Sequence, residues 1–176
     1  MKELEGKVAL VTGSSTGLGL AIAMELGARG AAVALNYAHQ TDRAEKALAK
    51  FHGSGAKGEI FRGDATESDS VNKLVADIKK KLGPVDILIP NATLDQPEKP
   101  IEDYTWQDYE EMIRFFIKSP FLLAQAVLPE MKDRQWGRIV NIGSEVVAQA
   151  VADFCSPRAS FVTGQTLCVN GGRTLS

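Results

Sequence analysis

Sulfur and imidazole are scarce in this chain. Its two cysteines, Cys155 and Cys168, and its two histidines, His39 and His52, do not fall at the spacings of a disulfide framework or a zinc site. Reduced structural thiols and surface imidazoles are therefore expected, and neither histidine is assigned a role. An excess of one charge is also lacking. The 20 basic and 22 acidic side chains are interspersed and leave a formal net charge of −2, which argues against nucleic acid or an anionic membrane surface as a partner. No run of about 18 apolar residues stands out. The opening Met1-Lys2-Glu3-Leu4-Glu5 is charged directly up to the first strand, so neither a signal region nor a membrane span is expected, and a cytoplasmic protein is. Asn91-Ala92-Thr93 fits a glycosylation acceptor, but without a secretory signal it would stay idle. Tyrosine is absent after Tyr109.

What the chain does have is hydrophobic residues, 44% of 176, enough for one sizeable core and one domain over 1–176. They come in two alternating kinds of segment. Short β-branched runs at 8–11, 31–35, 59–61, 85–89 and 138–142 read as strands. Between them, residues 18–29, 41–51 and a segment carrying Val71, Leu74, Val75, Ile78 and Leu82 read as helices. Strands apolar on both faces belong in a covered parallel sheet, so the fold class is α/β, a doubly wound Rossmann-type sheet. A long helix over 106–128 is expected to kink at Pro120 and to end with the help of Pro129. After Gly143 the alternation fails. Residues 144–164 show no sustained helical period, and 165–169 alone reads again as a strand, closed by Asn170-Gly171-Gly172.

Chemistry is concentrated between the first strand and the first helix, in Thr12-Gly13-Ser14-Ser15-Thr16-Gly17-Leu18-Gly19. A pyrophosphate can lie there on free amides at the positive end of a helix. Gly13 would permit the tight turn, Gly17 the approach of backbone to phosphate, and Gly19 the close packing of helix on strand. At the end of the second strand an acid would bind a ribose 2′-OH and repel a 2′-phosphate. The chain has Asn36-Tyr37-Ala38-His39-Gln40 followed by Arg43, so NADP(H) is favoured over NAD(H).

The T-G-x-x-x-G-x-G spacing resembles the short-chain dehydrogenase/reductase family, over 7–142 and again over 158–172, and most of all its 3-oxoacyl-carrier-protein reductase group. The resemblance implies a dinucleotide site built from Gly13, Ser15, Thr16, Gly17, Leu18, Gly19, Asn36, Tyr37, Asp64, Ala65, Asn91 and Ala92. Asp64-Ala65 resembles the family's adenine-contacting pair. Asn91-Ala92, flanked here by Pro90 and Thr93, resembles part of its Asn-Asn-Ala-Gly motif. Gly137 to Ser144 resembles the strand that delivers the catalytic serine, which puts Ser144 in that role. The implied reaction is NADP-dependent interconversion of small carbonyls and alcohols. Blander readings stay open: Asp64 as a helix cap or loop carboxylate, Ser144 as a strand-end hydroxyl.

The resemblance breaks after Ser144. The family's general acid, a tyrosine assisted by a lysine, lies thirteen residues beyond the serine, and that position holds Pro157. The segment 154–157 passes directly into the family's C-terminal region, which places an apparent deletion junction near 154–155. On the order of 70 residues are missing relative to a single α/β domain of this kind. The catalytic helix, the sixth strand and the substrate loop would lie in them. Phe116 replaces the asparagine of the family's proton relay. The expectations are therefore an oxidoreductase of this type that is inactive as a 176-residue chain, or a non-catalytic nucleotide-binding or interaction protein. Both a homo-oligomer and a monomer stay open.

Overall fold

The four apolar residues of β1 (Val8–Val11) are all buried, which requires layers on both sides of the strand. The computed structural model describes residues 2–94, 99–142, 148–160 and 162–164 and supplies both layers. β1 is followed by α1 (Gly17–Ala28), β2 (Ala32–Tyr37), α2 (Thr41–Gly53), β3 (Gly58–Arg62), α3 (Ser68–Lys81) and β4 (Ile87–Ile89). A continuous helical rod comes next: α4 (Trp106–Ile113), a π-helical turn (Arg114–Lys118) and α5 (Ser119–Asp133). It leads to β5 (Arg138–Ile139) and then to α6 (Ala148–Cys155).

All described strand pairs are parallel, in the order β3-β2-β1-β4-β5. Val33 and Leu35 point to one face, where Ile22, Ala23 and Leu26 of α1, Phe51 of α2, and Val151, Ala152 and Cys155 of α6 pack on them. On the other face Leu10, Ala34 and Leu88 meet Val71, Leu74 and Ile78 of α3 and Leu123, Val127 and Met131 of α5. At the starting end of the strands, Asp86 accepts hydrogen bonds from the Val8 amide (2.9 Å) and from Arg134 (3.2 Å), tying β4 to β1 and to the end of α5.

The doubly wound class is as expected; several details differ. A helix occupies Ala148–Cys155, where the sequence shows no sustained period, because two turns are too short for a pattern to repeat. That helix runs without a break through Phe154 and Cys155. Pro129 does not end α5, which continues to Asp133; hydrophobic packing at Val127 and Met131 holds the helix on either side of the proline. Pro120 lies near the start of α5 but inside the continuous rod, and the irregularity falls just before it as the π turn. β5 is shorter than expected, although Val140 N and Ile142 N still bond to Leu88 O and Pro90 O. The expected strand 165–169 and Ser144 lie outside the described residues.

The helical rod contains an 18-residue window of mean hydropathy 1.3, only 17% of it buried, in contrast to the expectation that no such run exists. Length and composition would let it cross a membrane. Its buried side chains, however, are those that α5 packs on the sheet, and its exposed ones are Trp106, Tyr109, Ile113, Phe116, Ile117, Phe121 and Leu128.

Candidate dinucleotide site

Strand order reverses between β1 and β4: the chain winds outward through β2 and β3, then returns to the other side of β1. Such a switch point leaves a crevice at the carboxyl ends of the two strands, where open α/β sheets bind ligands. Both loops that resemble family motifs open there, the glycine loop after β1 and Asn91-Ala92 after β4.

Hydrogen bonds knit the two loops together. The Thr12 hydroxyl accepts from the amides of Asn91 (2.9 Å) and Ala92 (3.0 Å). The Asn91 side chain donates back to Thr12 O (2.9 Å) and reaches Gly13 O (3.4 Å). Ser14, fully buried, donates to Val11 O (2.8 Å), and its amide bonds to Asn36 O (3.0 Å). Thr12 and Ser14 stand in the loop motif but were assigned no role from the sequence. Their signal was the pair of hydroxyls flanking Gly13, which a loop with buried backbone groups needs as partners.

The three glycines serve different purposes. A Cβ on Gly13 would lie 2.9 Å from Ala92 Cα, and the residue has φ +63°. One on Gly19 would lie 2.5 Å from both Asn91 Nδ2 and Gly13 O. Both are glycines because the protein itself fills the space. Gly17, at φ +54°, has nothing within 4 Å of the same position. Its empty surroundings lie at the start of α1, whose cap Thr16 makes no side-chain bond and whose first turn holds no acid, whereas α2 and α3 carry Asp42 and Asp69 there. The start of α1 thus presents the positive end of a helix dipole with no carboxylate competing for it, and no protein atom stands where a Gly17 Cβ would be. A diphosphate fits this cradle, and a Cβ at Gly17 would intrude on it. Ser15 is nearly buried beside it and Thr16 is exposed.

The adenosine end would lie toward β2 and β3. Asn36 is buried and donates its side-chain amide to Phe61 O (3.3 Å) and Gly63 O (3.0 Å), so it braces β2 against the loop after β3 and does not open to solvent. Tyr37 is half-buried at the strand end. Asp64 accepts from the Thr66 amide (2.8 Å) and hydroxyl (2.7 Å), the loop-carboxylate role that its residue type allowed. Burial opposes its ionisation, but the two Thr66 bonds and the charges of Arg114 and His39 outweigh burial and hold it below the usual carboxylate range. Ala65 is buried beneath it. Asn36, Tyr37, Asp64, Asn91 and the glycine loop are thus gathered at one end of the sheet, while Arg43 is exposed on α2. Among the described residues no cluster of metal-ligating side chains occurs.

Comparison with known proteins agrees with this geometry. The family described as short chain dehydrogenase matches residues 7–162. A 2-dehydro-3-deoxy-D-gluconate 5-dehydrogenase of Formosa agariphila is 34% identical over 142 residues, 81% of this chain and 53% of that protein. A 3-oxoacyl-(acyl-carrier-protein) reductase of Haemophilus influenzae is 33% identical over 164 residues, 90% of this chain and 65% of its own length. Among solved structures, a blue fluorescent protein from a metagenomic library, in complex with NADPH, matches with TM-score 0.72 and 35% identity, covering 81% of this chain and 57% of that one. The chain therefore spans between about half and two thirds of the length of these relatives.

Proposed function

Because the chain belongs to the short-chain dehydrogenase family, we propose that it is an NADP(H)-holding Rossmann unit of the carbonyl/alcohol oxidoreductase type that does not turn substrate over by itself. The observation that carries this reading is the open position at Gly17, at the start of a helix with no side-chain cap and no acid in its first turn, where the order of the described strands reverses. Gly17, Leu18 and Gly19 would hold the pyrophosphate through their amides, with Asn91 and Thr12 keeping the loop at its distance from β4. The β2 end, without a carboxylate at 36–40, tolerates a 2′-phosphate. When bound, the nicotinamide supplies or accepts a hydride.

Proton transfer is what the chain lacks. No tyrosine follows Tyr109, and Pro157 stands where the family resemblance implies the acid. General acid catalysis commonly contributes about 10² to 10⁴ in rate. The substrate class, a small carbonyl or alcohol, comes from the family alone. A cytoplasmic location remains part of this proposal.

Isothermal titration of NADP⁺ and NADPH into the purified 176-residue chain, its mass verified intact, tests the reading. Saturable binding of either is the expected result. Absence of binding by both overturns it. Robust NADPH-dependent reduction of carbonyls by the same preparation would overturn the claim that it lacks turnover.

A further inference from the structure

Among the cations near the β2 end, Arg62 stands apart. It closes β3 and lies in register with Tyr37, the last residue of β2. Side chains alternate along strands, so Tyr37 shares a face with Leu35, and Arg62 with Ile60. Leu35 and Ile60 pack on the cluster that includes Ile22, Ala23 and Leu26 of α1. Arg62 therefore emerges on the α1 side of the sheet, the side from which the glycine cradle opens. Its Nε donates to Ala38 O (3.2 Å), which seats the guanidinium on the loop that follows β2. The residue is exposed, and among the described residues no carboxylate lies within ion-pair distance of it. By contrast Arg29, Arg114 and Arg134 are each engaged by two or more carboxylates. Asp64, two residues on, does not quench Arg62, because its carboxylate is occupied by Thr66 on one oxygen and faces Arg114 with the other.

We propose that Arg62 selects the dinucleotide, its anchored guanidinium presenting both terminal nitrogens to a 2′-phosphate at the end of β2. The proposal rests on the dinucleotide reading above and adds to it the residue that decides between NADP(H) and NAD(H). A fork of N–H donors matches phosphate geometry, and a side chain already held by one hydrogen bond loses less freedom on binding than a free one. That argument favours Arg62 over Arg43, which carries no described bond and was the cation suggested by sequence alone.

Titrations of NADP⁺, NAD⁺ and 2′,5′-ADP into the wild-type chain and into Arg62→Gln, Arg62→Lys and Arg43→Gln test it, with circular dichroism confirming that each variant is folded. The wild type is expected to favour NADP⁺. Arg62→Gln should weaken NADP⁺ and 2′,5′-ADP by about tenfold to a hundredfold, as loss of a charge-assisted bond does, and shift NAD⁺ by no more than about twofold. Arg62→Lys should fall between, and Arg43→Gln should leave the preference in place. Three outcomes overturn the proposal while leaving the dinucleotide site intact: an unchanged NADP⁺/NAD⁺ ratio in Arg62→Gln, collapse of the ratio in Arg43→Gln instead, or a wild type that binds both nucleotides equally. If the wild type binds no nucleotide, the proposal and the reading beneath it fall together.

Discussion

Gly17 and Gly19 are two residues apart and chemically identical, yet they should fail in different ways. A side chain at Gly17 meets no protein atom, so Gly17→Val should leave the chain folded, destabilised by about 1–3 kcal/mol of left-handed backbone strain, and unable to bind NADP(H). A side chain at Gly19 drives into Asn91 and the Gly13 carbonyl, so Gly19→Val should disrupt the loop and the fold itself. Denaturant unfolding followed by nucleotide titration separates the two, and equal binding by wild type and Gly17→Val would show that the loop is not the cradle. Asp64 makes a second point at this scale. Its folded pKa is depressed, with burial opposing and the Thr66 bonds and the Arg114 and His39 charges prevailing. Its contribution to stability is therefore present above its ordinary pKa and is lost as pH falls through the lower folded value. Asp64→Asn should flatten the acid limb of a stability profile below about pH 4 and leave its neutral and alkaline parts unchanged in shape.

At the scale of elements, α6 is the piece whose attachment can be read directly. Val151, Ala152 and Cys155 are buried against α1, and Asp153 meets Arg29 at 2.7 Å. Burial pushes the Cys155 thiol up to about 12, partly offset by the charges of Arg138 and Arg29. In a Cys168→Ser background, Cys155 should resist alkylation at pH 8, and Val151→Asp, which places a charge in that interface, should accelerate labelling by at least about tenfold. Rapid labelling of the parent would show that α6 does not dock as described. The long rod of α4 and α5 shows the other side of the same physics. Its approximate extent, 106–128, was legible in the sequence. Its π turn was not, because Phe116 and Ile117 suit a regular helix and an irregular turn equally well.

For the molecule as a whole, a ligand that binds only the folded state must raise its stability. At a hundredfold excess over Kd the gain is about 2.7 kcal/mol, for a chain of this size a rise of roughly 5–10 °C in Tm. NADPH should produce that rise in a thermal melt, and Gly17→Val should not respond. With the same preparation, incubation of NADPH with simple ketones should consume no cofactor above background, since Pro157 can donate no proton. Binding without consumption is the signature to look for. A melt insensitive to NADPH at millimolar concentration would contradict the dinucleotide reading.

The βα alternation and the glycine spacing were determined locally, by residues whose periodicity and conformational freedom speak for themselves. Five strands, the helices between them and a glycine loop after β1 could be written down from the chain alone. So could the absence of tyrosine after Tyr109. Tertiary structure decided what depends on distant neighbours. Asn36 could have faced a ribose; it braces β3, because β2 lies between β1 and β3 in the sheet order. Thr12 became a hinge pin only when Asn91 came within 2.9 Å across 79 residues. The helix at Ala148–Cys155 owes its place to the apolar surface of α1, since two turns carry too little pattern to declare themselves. Arg62 was one basic residue among 20 until strand register set it beside Tyr37, and no spacing along the chain could have shown that.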